Sequence, residues 1–237
     1  MNPALRLSIV IPTFREAANI PVLLRRLDQA LTGSLRSCQV ILVDDDSGDG
    51  IAEVVEREKS GLEIILIVRR GVPRDLSQAV VDGLARCRGE HVVVMDADLS
   101  HPPATIAAMI AVLDNGEAEF VIGSRFVPGG GAPHFTWQRR LNAWVSRLLA
   151  RPLVDIRDPM AGFFAFPRRL LRPEIRLAPI GFKIGLELLV KLRPAAVREI
   201  PIQFQERLHG VTKLSLTERV KYLIHLKRLF IYKYFFS

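Results

Sequence analysis

Short apolar runs alternate with helical patterns through the first half of this chain, and that alternation restricts the fold more than any other feature. Residues 7–11, 39–44, 62–68, 91–96 and 119–124 read as strands, and 199–204 adds a sixth. Their length and β-branched content suit strands buried on both faces. Between them, Ile20, Leu23, Leu24, Leu27 and Leu31 recur at helical spacing. Ile51, Val54 and Val55 mark a second helix, and residues 77–86 a third. Strand alternating with helix predicts βαβ units, hence an α/β fold with a Rossmann-like, mostly parallel sheet flanked by helices. Ligands of such sheets bind beyond the carboxyl ends of the strands.

Asp96-Ala97-Asp98 follows the run His91-Val92-Val93-Val94-Met95 directly. The strand therefore delivers two carboxylates to the ligand edge. Two close acids with no base between them repel each other, and a bound Mg²⁺ or Mn²⁺ removes the repulsion. Such a cation can in turn hold a diphosphate. Two more strand tips reach the same edge, as Pro12-Thr13-Phe14-Arg15-Glu16 and Asp44-Asp45-Asp46-Ser47-Gly48-Asp49-Gly50. Tip carboxylates suit ribose hydroxyls or base N–H groups. Asp49 reads equally as a helix N-cap. Gly48-x-Gly50 resembles the start of a dinucleotide fingerprint, but Glu53 stands where the third glycine belongs, which excludes NAD.

The net charge of +8 is unevenly spread. Residues 1–120 carry 12 Lys+Arg against 18 Asp+Glu, and residues 121–237 carry 21 against 7. The acidic half fits metal binding, and the basic half fits a polyanion such as anionic lipid or phosphate groups. Nucleic acid is the weakest of these partners, because aromatic stacking platforms are sparse near the basic runs. Cys38 and Cys87 suggest reduced thiols rather than a disulfide framework. The start of the chain lacks the pattern of a secretory signal, and no stretch is long and apolar enough to cross a membrane.

Pro128-Gly129-Gly130-Gly131 predicts a mobile loop on the ligand side of the fifth strand. No histidine has ligand spacing to another, so His101 and His209, both in motif loops, are expected to serve structure. No linker divides the chain, which reads as one domain with a C-terminal extension. In that extension Ser215 and Glu218 are spaced as a capping box. Val220, Leu223, Ile224, Phe230, Ile231 and Tyr234 then mark an apolar face, with Arg219, Lys221, Lys227, Arg228 and Lys233 supplying charge. A basic amphipathic helix of this kind lies on a membrane surface or packs as a terminal helix on the core. The final Tyr-Phe-Phe-Ser leaves room for membrane segments beyond residue 237.

Taken in order, Pro12 to Glu16, Val43 to Gly50, Asp96 to Pro103 and Gly123 to Gly131 resemble family 2 glycosyltransferases. More narrowly they are similar to the dolichol-phosphate (polyprenyl-phosphate) mannosyltransferases, over nearly the whole chain from about Leu7 to Leu214. The resemblance implies a GT-A fold, a nucleotide-sugar donor and a divalent metal, Mg²⁺ or Mn²⁺. By position, Asp96, Asp98 and Ser100 resemble the metal ligands, with Asp96 also at the donor diphosphate. Pro12, Phe14, Glu16 and Asp45 resemble the nucleoside-binding positions. Arg125 and Arg139 resemble the pair that grips the lipid phosphate. Asp158 to Phe163 and Glu187 fall on further signatures, and Arg207 to Leu214 resemble a late loop closing over the donor phosphates. Asp98, Arg125, Arg207 and Lys213 are thereby the expected catalytic set. Residues 1–213 would form the catalytic domain and 214–237 the membrane-associating helix. Asp46, Ile51, Ala161 and Thr212 depart from the family pattern at no metal or phosphate ligand.

The implied reaction is an inverting transfer of mannose from GDP-mannose to dolichyl or polyprenyl phosphate at the cytoplasmic face of a membrane. A UDP donor carrying glucose or an amino-sugar is the alternative enzyme. A non-catalytic membrane-recruitment protein is the alternative of another kind, and the intact Asp96, Asp98, Arg125 and Lys213 oppose it.

Overall fold

The computed structural model describes residues 5–58, 60–181, 183–205 and 216–235. Five strands fall where the apolar runs predict them: β1 (Leu7–Thr13), β2 (Cys38–Asp44), β3 (Glu63–Val68), β4 (His91–Val94) and β5 (Phe120–Ser124). No apolar run predicts β6 (Phe164–Pro167). Four residues ending in proline are too short to show a period. The last strand, β7 (Val197–Pro201), sits slightly ahead of its predicted position. The strands form one sheet in the order β3-β2-β1-β4-β6-β5-β7. β6 runs antiparallel to both β4 and β5, and every other neighbouring pair is parallel. Register aligns Thr13 with Asp44 and Val10 with Val94, so the tips of β1, β2 and β4 converge on one edge.

Alternate residues of each strand feed opposite layers. Leu7, Ile9 and Ile11 of β1 pack with Leu23, Leu24 and Leu27 of α1 (Ile20–Ala30) and Ile106 and Met109 of α4 (Thr105–Asp114). Val10, Ile41 and Val43 face the other way, toward Ala79 and Val80 of α3 (Leu76–Leu84) and Leu188 of α6 (Ile184–Leu192). Each fully buried aliphatic side chain contributes roughly 1.5–3 kcal/mol. The short α2 (Ile51–Arg57) follows β2, as expected. Cys38 and Cys87 are free and buried, and burial pushes their thiols up to about 11 and about 12.

Two helices shape the surface beyond the sheet, α5 (Trp137–Ala150) and α7 (Leu216–Phe235). Of the two destinations foreseen for the terminal helix, the structure shows packing on the core. Tyr222, Leu226 and Leu229 of α7 bury against Leu186 and Val190 of α6 and Ala150 of α5. The predicted apolar face, Val220, Leu223, Ile224, Phe230, Ile231 and Tyr234, stays exposed. The Ser215–Glu218 capping box lies outside the described side chains. No described helix is long and apolar enough to cross a membrane.

Candidate active site

Backbone strain marks the ligand edge. Arg15, Asp46 and Leu99 follow β1, β2 and β4, and their φ angles are 59°, 50° and 64°. Non-glycine residues rarely take this left-handed conformation, and it persists only where the surroundings enforce it. At Leu99 the reason is visible. The side chain is buried, and the reversed backbone folds Ser100 back onto Asp98. Asp98 Oδ1 accepts from the Ser100 backbone N–H at 3.1 Å and from its hydroxyl at 2.5 Å.

The sequence places Pro12, Phe14, Glu16, Asp45, Asp96 and Asp98 at one site, and the structure brings all six into the wall of one cavity of about 130 Å³. Arg74, from the loop between β3 and α3, and Leu76, the first residue of α3, line it as well. Asp45 is more committed internally than its nucleoside-binding position implies. Its Oδ1 accepts from Arg69 Nη1 and its Oδ2 from the Asp75 backbone N–H at 3.0 Å. One lone pair remains on each oxygen for a ligand. Burial alone would lower the Arg69 pKa, but the hydrogen bonds it donates to Asp82 and Asp45 raise it. Asp49 accepts from the backbone N–H groups of Ala17 and Ile51, at 2.9 and 3.3 Å, so it braces two strand tips rather than facing the cavity.

His101 takes the supporting role expected of it. Its Nδ1 accepts from the Asp96 backbone N–H at 3.0 Å. The ring stacks on Phe163 and meets Phe204 edge-on. Burial holds its pKa below the ordinary value, against the pull of Asp96 and Asp98, which keeps the imidazole neutral and Nδ1 an acceptor.

Two adjacent carboxylates are a hard-oxygen donor set that fits Mg²⁺ or Mn²⁺. The space around them fits too: a Cβ on Gly162 would lie 3.4 Å from both Asp96 oxygens. No group of three or more acidic, His or Cys residues among the described ones forms a complete cage. A cation here would need phosphate oxygens and water to fill its shell, which is the usual arrangement for Mg²⁺ on a nucleotide. Ser100 spends its hydroxyl proton on Asp98, which leaves the oxygen lone pairs as its means of ligation.

Arg125 begins a second cavity of about 270 Å³, lined also by Phe126, Phe135, Arg140, Gln203 and the Gly130-Gly131 backbone. Its guanidinium lies 5.3–5.5 Å from the ring centres of Phe126, Phe135 and Phe204. Asp158 grips it with both oxygens, and the Glu199 carboxylate in turn holds the backbone N–H of Asp158 at 2.9 Å. The sequence assigns the partner cation to Arg139. In the structure Arg140 lines the cavity, while the Arg139 guanidinium lies 4.9 Å from the Phe135 ring centre, beside it.

The triple-glycine loop is tied down, contrary to the mobility expected of it. Gly131 donates to Ile202 O and accepts from Phe204 N, and Gln203 Nε2 donates to Gly129 O. The glycines serve close approach: a Cβ on Gly130 would lie 2.6 Å from Ser124 O. Glu187 lies away from both cavities, buried between α6 and α7, where it accepts from Ala178 N and Lys191 Nζ. Arg207, Lys213 and His209 lie outside the described residues. Sequence reasoning missed Arg74, Arg140 and the Arg125–Asp158 clamp. Only the Asp158 signature carried a signal for any of them.

Residues 8–174 match the family described as glycosyl transferase family 2. Dolichol-phosphate mannosyltransferase of Pyrococcus furiosus is 37% identical over 229 residues, covering 95% of this chain and 64% of that protein. The chain therefore spans a little under two thirds of the archaeal relative. The enzyme of the same name from Saccharomyces cerevisiae is 36% identical, over 96% of this chain and 88% of its own length. Among solved structures, glucosyl-3-phosphoglycerate synthase from Mycobacterium tuberculosis, in complex with Mn²⁺, UDP and glucosyl-3-phosphoglycerate, superposes with a TM-score of 0.69 at 20% identity. The match covers 96% of this chain and 79% of that one. That likeness is one of fold, and it agrees with the expected GT-A architecture. The chain belongs to glycosyl transferase family 2 and, within it, to the dolichol-phosphate mannosyltransferases.

Proposed function

We propose that this glycosyltransferase moves mannose from GDP-mannose to dolichyl or another polyprenyl phosphate, with inversion at the sugar C1, at the cytoplasmic face of a membrane. The names of the relatives support the reaction class. The observation that carries the lipid acceptor is where the second cavity opens. Arg139 and Arg140 stand in the first turn of α5, and the same helix exposes Trp137, Leu141, Trp144 and Leu148 along one stripe. Tyr222 of α7 bonds Ser146 O of α5 from the buried side of α7, and α7 exposes its own apolar face to solvent. A water-soluble phosphorylated acceptor needs no such surface, whereas a phosphate on a hydrocarbon chain does.

A phosphate monoester is largely ionised at pH 7, its second pKa being about 6. The attacking oxygen therefore needs no strong base. Arg125 and Arg140 would hold it by charge-assisted hydrogen bonds and aim it at C1. The rings of Phe126, Phe135 and Phe204 around Arg125 would limit the access of water, the competing nucleophile. Asp96 and Asp98 would hold Mg²⁺ or Mn²⁺, and the ion would supply positive charge against the departing diphosphate. Arg207 and Lys213 are proposed for the same end of the donor.

The test is transfer from labelled GDP-mannose to polyprenyl phosphate in liposomes containing Mn²⁺. Lipid-linked mannose is expected. Transfer from UDP-glucose instead, or equal use of a soluble phosphate acceptor, would overturn the reading.

A further inference from the structure

We infer that Arg74 determines the specificity for the donor base, favouring guanine over uracil. The inference rests on the reading that the donor is a nucleoside-diphosphate sugar held at Asp96 and Asp98.

Sheet order sets the direction of that donor. Asp96 and Asp98 follow β4, Pro12 to Glu16 follow β1, Asp45 follows β2, and Arg74 stands in the loop beyond β3. With the diphosphate at β4 and the acceptor cavity on the β5 side, the nucleoside runs toward β2 and β3. Arg74 is thus at the base end. Among the described residues lining this cavity it is also the one basic group, and the walls carry Glu16, Asp45, Asp96 and Asp98.

The guanidinium is presented from a fixed backbone. Its carbon lies 3.7 Å from the Phe14 ring centre. The loop is pinned on both sides of Arg74 by one carboxylate, since Asp45 takes Arg69 Nη1 on one oxygen and the Asp75 backbone N–H on the other. Asp75 also caps α3 through Gln78 N at 3.0 Å.

The chemistry then separates the bases. Guanine offers two adjacent acceptors, O6 and N7, which the planar Arg fork meets bidentately. Its N1–H and N2–H₂ donors suit the remaining lone pairs of a wall carboxylate. Uracil carries no such pair of adjacent acceptors, so the Arg fork would place one bond on it at most, and its N3–H could reach a wall carboxylate as guanine N1–H does. A bidentate contact of this kind discriminates by about five- to a hundredfold.

Calorimetric titration of the full chain with GDP and with UDP, each with Mn²⁺, tests this. The wild type is expected to prefer GDP. R74A and R74K are both expected to weaken GDP by about tenfold, while UDP changes little. Arg74 is exposed, and circular dichroism of each variant checks that it folds. Equal weakening of both nucleotides would show a phosphate contact and overturn the inference. So would full discrimination in R74K, because lysine keeps the charge without the fork. A wild type that prefers UDP refutes the GDP-donor reading itself. A GDP preference that survives R74A refutes the role of Arg74 alone.

Discussion

Asp158 holds Arg125 by two parallel hydrogen bonds, Nε to Oδ2 at 2.8 Å and Nη2 to Oδ1 at 2.6 Å. The Asp158 side chain is fully buried and the Arg125 side chain is 12% exposed. The clamp has two consequences. It fixes the direction of the guanidinium, and it offsets its charge. Net attraction for an anion in this cavity must then draw on Arg139 and Arg140 as well.

Asp158→Asn should therefore damage acceptor use rather than donor binding. The amide keeps one acceptor oxygen but turns an NH₂ group toward the guanidinium. Removing one partner of a buried pair costs about 3–5 kcal/mol. Urea denaturation should show a loss of that order. At a permissive temperature the acceptor KM should rise strongly while Mn²⁺-dependent GDP affinity holds. Arg125→Ala should show the same split. Parallel loss of donor and acceptor binding would contradict the assignment of this cavity.

Asp98→Asn keeps the shape of the acid pair and removes one charge. Transfer should fall by at least about a hundredfold, as it does when a group facing developing charge is lost. Ser100→Ala removes the hydroxyl that donates to Asp98 Oδ1, together with the oxygen lone pairs expected to face the ion. Loss of such a supporting bond lowers metal affinity by about 10–100-fold. Mn²⁺ titration followed by electron paramagnetic resonance separates the two variants. Full activity in EDTA would rule out the cation.

The strands that carry Asp96, Asp98 and Asp45 were legible because each is an apolar run buried on both faces, and such runs declare themselves residue by residue. β6 was not, since Phe164–Pro167 owes its place to pairing with β4 and β5 rather than to any local pattern. The acid pair at the edge was legible for the same reason as its strand. The choice between Arg139 and Arg140 was not, because it depends on how the first turn of α5 meets Phe135 and Gln203, and Gln203 is distant from α5 in sequence. Glu187 is a different case. Its motif position carried no stated role, and its burial against α7 makes it a brace.

That brace should be sensitive to pH. His225 Nδ1 accepts from Ile180 N at 2.9 Å, and Nε2 faces Glu187 Oε2 at 3.5 Å, with Lys191 and Arg228 nearby. Burial lowers the His225 pKa and outweighs the raising effect of Glu187. Below its ordinary pKa of about 6.5 the unfolded chain takes up a proton that the folded chain refuses. Stability from this residue is thus full above pH 6.5 and declines as pH falls, by up to about 1.4 kcal/mol per pH unit until the folded pKa is reached. His225→Asn keeps a group at the Ile180 contact without titrating. Its stability, measured by urea between pH 7 and pH 5, should fall less steeply than that of the wild type. Identical slopes would show that His225 titrates as freely folded as unfolded.

Gly83→Ala sets two effects of opposite sign against each other. In a helix interior alanine is favoured over glycine by about 1 kcal/mol. Gly83, however, is where α3 lies against the sheet: a Cβ there would stand 2.5 Å from Val10 Cγ1 and 3.1 Å from Val43 Cγ2. Both valines are fully buried strand residues, stiff at χ1 and unable to turn aside. Overpacking of this kind costs about 1–3 kcal/mol. The clash should win, giving a net loss of up to about 2 kcal/mol in thermal or urea unfolding. Relief requires α3 to move off β1 and β2, and α3 is capped by Asp75, whose backbone N–H Asp45 holds. GDP affinity should therefore weaken along with stability. Unchanged stability would mean that α3 rides on the sheet with slack that these distances do not allow.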